Sequence, residues 1–468
     1  MKLGNVLFIL GCTGSALAMT TQEVAKEMGL GWNLGNTLEA CGDWINGSTV
    51  KQYETAWGNP ETTEDIIKAV KSNGFNSVRI PVAWSNLMSS DYTISPLLIK
   101  RVKEVVGYVV NNGMYAIMNI HWDGGWFEKF ATSQANEAFT KYKKVWEQIS
   151  ENFKDFDEHL IFESLNEEGC WNDLWNQWSN QGDKSKAYGT LNDMNQQFIN
   201  IVRKSGGNNA KRHLLLAGYC TDIDLTVDNA YVVPKDDRVM VSVHYYTPGG
   251  FCILEEDADW SKASRTWGTD SEVSTLVNNF KKLKTRFIDN GVPVIIGEYG
   301  TPIKNKEPES IHKFLRTAAE TALSLGAVPV VWDAGQYLDR NALTFKDQQI
   351  GELYKDIYNK MVKNNISGGT ASNNASTTND EKCWSEPDYP CCKNTCYVIY
   401  KDDQEWGSEN GDWCGIPSNC STLRSATDSC PFYPDYPCCP TCDVFLTEED
   451  GSRWGISNGN WCSIKNSC

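Results

Sequence analysis

Glu167 and Glu298 each close a short apolar run, and so do Arg79, His121, Asn166, His244, Tyr246 and Trp332. These residue types can move protons, hold an anion or offer a flat apolar face. The chain has only 5 His, and two of them fall at such ends. One polar terminus would mean little. A hydrogen-bonding or stacking group closing six of eight runs is hard to obtain from ordinary core patterning. Two carboxylates facing each other across a cleft suit glycoside hydrolysis, where an acid and a base or nucleophile flank the scissile bond. A structural ion pair with Arg79 explains either Glu alone. It explains poorly both together in this company.

Such groups need a frame that brings run ends together. The eight β-rich runs are Leu30–Asn36, Asn76–Val82, Met114–His121, Leu160–Asn166, His213–Tyr219, Val239–Tyr246, Val292–Glu298 and Ala327–Asp333. Between most of them lie segments with helical spacing of apolar residues: Pro96–Asn111, Phe139–Phe153, Lys186–Lys204 and Ser271–Ile288. The connection from the fifth run to the sixth is short and Asp-rich. This alternation predicts an α/β protein, a (β/α)8 TIM barrel with its site at the C-terminal ends of the strands. An open doubly wound sheet would carry a Gly-rich phosphate loop after its first strand, and none is visible.

The chain has 468 residues and a formal net charge of −17, with no basic cluster. Nucleic acid and anionic membrane are therefore poor partners, whereas a neutral partner or substrate fits better. The 18 Trp exceed what a core of this size needs, and an indole face can stack on the C–H face of a sugar ring. Trp44, Trp122, Trp126, Trp171 and Trp178, in expected loops, are candidate stacking surfaces. Lys2, the apolar Leu3–Leu10 and the small-x-small Ala16-Leu17-Ala18 read as a secretory signal over residues 1–18, with the mature start near Met19. No other apolar stretch is long enough to span a bilayer, which predicts a soluble, secreted, extracellular product.

Composition breaks near residue 365. Residues 19–363 read as the barrel and 364–381 as a flexible linker rich in Ser, Thr, Asn and Gly, with glycosylation acceptors at Asn365 and Asn374. The chain then repeats at a period of about 47 residues. CWSEPDYPCC and WGSENGDWCGI lie in the first module (382–420), CPFYPDYPCC and WGISNGNWCSI in the second (429–468). Of 17 Cys, Cys12 lies in the signal and 12 crowd into residues 383–468, where there is no His. The adjacent pairs Cys391-Cys392 and Cys438-Cys439 fit zinc knuckles badly, so disulfides stapling two small modules are the better account. Asp402, Asp403 and Glu405 lack the EF-hand spacing, and no metal or cofactor is assigned. Paired modules suit avid attachment to a partner. One duplicated domain without a binding role is the plainer alternative.

The ordered set GWNLGNTLEA (31–40), WGNP (57–60), VRIPVAW (78–84), NIHWD (119–123), LNE (165–167), HYYTP (244–248), GEYG (297–300) and VWDAG (331–335) resembles glycoside hydrolase family 5, in particular its cellulase and β-glucanase subfamily. The resemblance implies a retaining enzyme on a β-linked glucan, with Glu167 as general acid/base and Glu298 as nucleophile. It implies that Asn166 holds the substrate 2-hydroxyl. Arg79, His121, His244 and Tyr246 would order the carboxylates and the sugar, and Trp332 would floor the cleavage subsite. Asn36 and Trp122 join the substrate-binding candidates. Two departures lie beside that subsite: Trp122 stands where many members have a second His, and Ala334 where Asn is common. In these roles Glu298 must stay ionised, with Arg79 and Tyr246 as candidate partners. Glu167 must start protonated, so burial or its anionic neighbour should raise its pKa. The expected carboxyl separation is about 5–5.5 Å.

The modules resemble the fungal dockerin, similar to carbohydrate-binding module family 10, through the Cys-Trp-Ser start, the Cys-Cys pair and the WGxENGDWCG segment. That implies docking onto a cellulosome scaffolding protein through residues 382–468, in an anaerobic fungal setting. Trp406, Trp413, Trp454, Trp461, Tyr389 and Tyr436 are its aromatic candidates, for protein or for glucan. Mainly xyloglucan, mixed-linkage glucan, mannan or xylan remains the alternative substrate, and a non-catalytic glycan-binding barrel the alternative of another class.

Overall fold

The computed structural model of the protein describes residues 19–363 apart from Asn46. Beyond them it describes 385, 389, 400–401, 404–409, 412–416, 439, 444–447, 453–457 and 460–464. The expected secretory signal, the linker and Tyr436 lie outside the described residues.

Eight parallel strands close into a barrel: β1 (Gly31–Asn33), β2 (Ser77–Ile80), β3 (Tyr115–Asn119), β4 (Leu160–Glu163), β5 (Leu214–Ala217), β6 (Val239–Tyr245), β7 (Val294–Tyr299) and β8 (Val328–Val331). Each pairs with the next, and β8 closes on β1. Seven of the eight expected runs contain one of these strands and the seventh, Val292–Glu298, covers all of β7 but Tyr299, so the (β/α)8 barrel is correct. The runs overreach the strands. β3 stops at Asn119, two residues before His121, and β4 stops at Glu163, three before Asn166. Those site residues therefore belong to the loops that follow.

The helices cover the outside, as parallel strands buried on both faces require. They are Glu64–Ser72, Pro96–Asn111, Ala135–Phe153, Lys184–Lys204, Asp270–Arg286, Pro308–Ser324 and Gln348–Ile357. Several begin on side-chain caps, such as Thr269, whose hydroxyl accepts from Glu272 while the Glu272 carboxylate accepts from the Thr269 N–H. Pro stands in the first turn of Pro96–Asn111 and Pro308–Ser324, where its missing N–H has no helical partner to lose. After β5 only a single turn, Ile223–Thr226, replaces a full helix. This is the Asp-rich stretch that the sequence reads as short.

Alternate strand residues point inward, and they change character along the barrel axis. At the lower end Ile117, Ile161, Leu215, Met240, Ile295, Val328 and Val330 pack into one apolar cluster. The N-terminal helix Thr21–Met28 plugs it with Val24, Ala25 and Met28. Two residues further up several of those strands stand Asn119, Glu163, Ser242 and Gly297, and Arg79 stands two beyond Ser77. All four side chains are fully buried.

In the C-terminal modules the described strands form two separate three-stranded antiparallel sheets. The first joins Tyr400–Lys401, Glu405–Glu409 and Asp412–Gly415; the second joins Leu446–Thr447, Arg453–Ser457 and Asn460–Ser463. Their registers match. Gly407 opposes Cys414 in one and Gly455 opposes Cys462 in the other. The sequence repeat is thus a repeat of structure, and Cys439–Cys462 is a disulfide within the second copy. In the barrel Cys170 is bonded to Cys220, while Cys41 and Cys252 are free thiols. The even Cys number after the signal therefore does not mean that all of them pair.

Candidate active site

Arg79 organises the mouth of the barrel. Its guanidinium donates to Glu163 Oε2 at 2.7 Å, Glu298 Oε1 at 2.6 Å, Asn166 Oδ1 at 2.7 Å and Asn33 Oδ1 at 3.1 Å. Burial works against its charge, and the two carboxylates more than restore it. Glu163 also accepts from Ser242 Oγ at 2.7 Å. A fork with fixed donors can hold two carboxylates and an amide in one plane, which a lysine cannot. Once Arg79 occupies Asn166 Oδ1, the amide NH2 is the end left to face a ligand.

Glu298 is 6% exposed and has a second donor, Tyr246 OH at 3.0 Å from Oε2. Burial, and then the neighbouring carboxylates Glu298 and Glu167, hold the Tyr246 phenol protonated, so it donates. Burial pushes the Glu298 carboxyl above the usual carboxylate range, although His244 and Arg79 pull it back. Glu167 lies across the cleft with half of its side chain exposed (51%) and accepts from His244 Nδ1 at 2.8 Å. Burial pushes Glu167 up too, but the His244 bond and the charges of His244 and Arg79 outweigh it, and the net displacement is downward. This corrects the sequence expectation that Glu167 is raised. The neighbour that decides its proton is a donor, not only the second carboxylate. One oxygen of Glu167, one of Glu298 and a ring nitrogen of His244 lie within 4.8 Å of one another. Such a set could accept a cation, yet Arg79 already supplies Glu298 with positive charge and His244 uses Nδ1 on Glu167. Proton exchange fits these contacts better than ligation.

The strand register makes this meeting possible. Between β6 and β7 it shifts after Val243, so that His244 stands opposite Glu298 and Gly297 is the extra residue. A Cβ on Gly297 would lie 3.0 Å from Ser242 Oγ and 3.3 Å from His244 Nε2, which is why the strand narrows to glycine there. His121 stacks on Trp332, with ring centres 5.8 Å apart and planes 10° apart. Burial first, then the Arg79 and His244 charges, keep His121 neutral. Gly35 lets the chain after β1 approach the Trp332 indole, since a Cβ would stand 2.9 Å from the ring. A cavity of about 500 Å3 opens here between Glu167, Tyr246, Glu298, Trp332, Ile253 and Ile303.

Arg79, Asn166, Glu298 and Tyr246 are thus joined by direct hydrogen bonds, Glu167 and His244 form a second bonded pair whose His244 Nδ1 stands 3.7 Å from Glu298 Oε2, and His121 and Trp332 stack beside them. Asn36 is different. It has positive φ (54°), and its hydrogen bonds run through its backbone, to the Glu39 carboxylate and from Asn59. The group that reaches Arg79 from β1 is Asn33. Trp122, Trp44 and Trp178 are exposed, whereas Trp126 and Trp171 are buried, at 8% and 2%. Trp126 donates to Asp123 and stacks on Phe127, so these two build the core rather than a sugar surface. Glu163, Asn33 and Ser242 escaped the sequence reading. The available signal was a carboxylate and polar residues inside runs otherwise made of core residues. In the modules Tyr389 meets Trp406 edge-on at 5.0 Å.

Comparison with known proteins agrees with this architecture. Residues 38–338 match the family model described as cellulase, glycosyl hydrolase family 5. Residues 382–416 and 429–464 each match a cellulose- or protein-binding domain of the CBM10 type. Endoglucanase B of Neocallimastix patriciarum is 36% identical over 426 residues, covering 86% of both chains. A xyloglucan-specific endo-beta-1,4-glucanase of Bacteroides ovatus is 31% identical and covers 68% of this chain and 65% of its own. Among solved structures, a broad-specificity endoglucanase from an uncultured bovine rumen ciliate superposes with a TM-score of 0.66 at 33% identity, covering 73% of this chain and 99% of that one. The chain belongs to glycosyl hydrolase family 5, the cellulase family, and is a glycoside hydrolase.

Proposed function

We propose that the protein is a secreted retaining endo-β-1,4-glucanase acting on cellulose-type glucan, with Glu298 as nucleophile and Glu167 as general acid/base. The observation that carries this reading is the approach of the two carboxyl groups, whose oxygens come within 4.8 Å. Retaining enzymes hold the pair about 5–5.5 Å apart, while inverting enzymes leave about 6.5–9.5 Å for a water.

The steps follow from the contacts. A glucosyl ring stacks on Trp332, with its 2-hydroxyl toward the Asn166 amide. Glu298, held by Arg79 and Tyr246, attacks the anomeric carbon. Glu167 gives its proton to the departing glycosidic oxygen. Water then enters, gives a proton to Glu167 and displaces Glu298. Arg79 and Tyr246 both donate to Glu298, contacts that favour its ionised form. A sugar covering the half-exposed Glu167 removes water from it and favours its protonated form, as the first step needs.

Relatives named as a broad-specificity endoglucanase and a xyloglucan-specific endo-beta-1,4-glucanase support a β-1,4-glucan backbone as the shared feature. The repeated modules support attachment to a scaffolding protein as fungal dockerins do, with residues 1–18 exporting the chain and 364–381 tethering modules 382–420 and 429–468. Proton NMR of early product should show the β-anomer from a β-glucan; net inversion overturns the mechanism. Reducing-end release across cellulose, xyloglucan, mixed-linkage glucan, mannan and xylan ranks the substrates. Binding without any hydrolysis would instead favour a non-catalytic glycan-binding role.

A further inference from the structure

We infer that the Cys170–Cys220 disulfide is a positioning element for Glu167, holding the proton donor at the glycosidic oxygen; this rests on Glu167 being the acid. The two catalytic carboxylates are held in different ways. Glu298 stands in β7 and takes donors from Arg79 and Tyr246. Glu167 lies in the loop after β4, outside the sheet, with half of its side chain exposed. Its carboxylate accepts from His244 Nδ1 at 2.8 Å. A carboxyl so lightly covered points where its backbone points.

That backbone is uncommon. Cys170 (φ 44°), Cys220 (φ 56°) and Thr221 (φ 46°) all lie in the left-handed region, which a side chain disfavours and a β-branched one most. They belong to the loops after β4 and β5, and these loops meet at three points. Cys170 is bonded to Cys220. The Cys220 N–H donates to the Glu168 carbonyl at 2.8 Å. A Cβ on Gly169, whose φ is 119°, would stand 2.8 Å from the Cys220 nitrogen, so only glycine lets the two backbones come this close. The Glu168 carboxylate in turn accepts from the Asn166 N–H at 3.0 Å. Glu167 therefore sits between Asn166, which Arg79 fixes, and Glu168, which the cross-linked loop fixes. Unfavourable backbone at three residues persists only where its surroundings over-determine it. The covalent bond is the contact here that thermal motion does not open.

Both cysteines are half-buried, within reach of a small dithiol. Two electrons and two protons from dithiothreitol open the bond to two thiols, while the reagent closes to its own disulfide. Cys170 and Cys220 are then free to relax toward negative φ, and Glu167 moves off the glycosidic oxygen. A displacement of about 1 Å at a reacting group can cost roughly a hundredfold in rate. Glu298, Arg79 and Tyr246 stay in place, because they are bonded to one another at the barrel mouth.

The full-length wild type, the wild type in dithiothreitol and the Cys170→Ser/Cys220→Ser double variant are assayed on cellohexaose and on dinitrophenyl β-cellobioside. A departing sugar needs the proton from Glu167, whereas dinitrophenolate leaves without it. The double variant and the reduced wild type should each lose roughly tenfold or more in kcat/KM on cellohexaose, chiefly through kcat, and less than about twofold on the aryl substrate. Dithiothreitol should leave the double variant unchanged, and reoxidation should restore the wild type. An equal loss on both substrates, no loss on cellohexaose, or a double variant as sensitive to dithiothreitol as the wild type overturns the inference. If the double variant does not fold, the reduced and reoxidised wild type makes the same comparison. Failure of the wild type to cleave cellohexaose would strike the proposed activity instead, and undiminished cleavage of it by Glu167→Gln would strike the role of Glu167.

Discussion

The two ends of the barrel are made from the same eight strands and do opposite work. At the lower end Ile117, Ile161, Leu215, Met240 and Ile295 fill the interior and the N-terminal helix seals it. At the upper end, two residues along those strands, Asn119, Glu163, Ser242 and Gly297 face in, and Arg79 gathers two buried carboxylates. Apolar contact at the floor is non-directional and rewards volume. The mouth stores charge that is stable only while every partner is present, because a lone buried ion costs several kcal/mol. The difference teaches that the floor provides the stability against which the mouth can keep an unfavourable, reactive arrangement.

The sharpest break of this comparison is Glu298→Gln. It should lower kcat by roughly 10^4-fold or more while leaving Tm close to the wild type, since the amide keeps the shape and Arg79 keeps Glu163. Hydrolysis at near wild-type rate would show that the mouth's chemistry lies elsewhere. Arg79→Met should fail in both respects. It strands Glu163 and Glu298 in a dry interior, with a stability loss of about 3–5 kcal/mol by denaturant unfolding and no measurable turnover. A stable but inactive variant would mean that one of those carboxyls takes up a proton without penalty.

Ile161→Ala probes the floor. The expected cost is about 2–5 kcal/mol of stability, with kcat of the folded enzyme nearly unchanged. A change in kcat as large as the change in stability would show that the floor transmits to the site. The smallest effect is a pH slope. His213, just before β5, meets Thr21 Oγ1 through Nδ1 at 3.2 Å and Arg238 through Nε2 at 3.2 Å. Burial, then the nearby arginines, push it down to about 4. Above pH of about 6.5 it is neutral folded or unfolded and makes no difference. As pH falls from there to about 4 the unfolded chain binds its proton first, so about 3 kcal/mol of stability is lost across that window. His213→Gln should flatten the slope in urea titrations. At the mouth protonation costs activity instead, and the acid limb of kcat/KM should lie above the usual carboxylate range because burial raises Glu298.

Much of the fold was legible because a parallel strand buried on both faces is a near-continuous apolar run, and eight of them alternate with helical periodicity. Run ends were less legible. His121 and Asn166 continue the composition of β3 and β4 although they sit in loops. Trp126 and Trp171 read like Trp122 and Trp178, since residue type does not say which side of a loop packs on the core. Asn33 and Asn36 are likewise alike in the motif, and only the barrel's closure puts Asn33 beside Arg79.

The sequence by itself determined the barrel, the two Glu that follow β4 and lie near the end of β7, and the duplicated C-terminal modules. These depend on local pattern and chain order. The tertiary structure alone decided that Arg79 is shared between Glu298 and the unforeseen Glu163, that a register shift aims His244 across the cleft, and that Glu167 is pulled down rather than up. Those depend on distances between strands far apart in the chain. Charge interactions in a dry interior change by kcal/mol over an ångström, a scale that residue order does not encode.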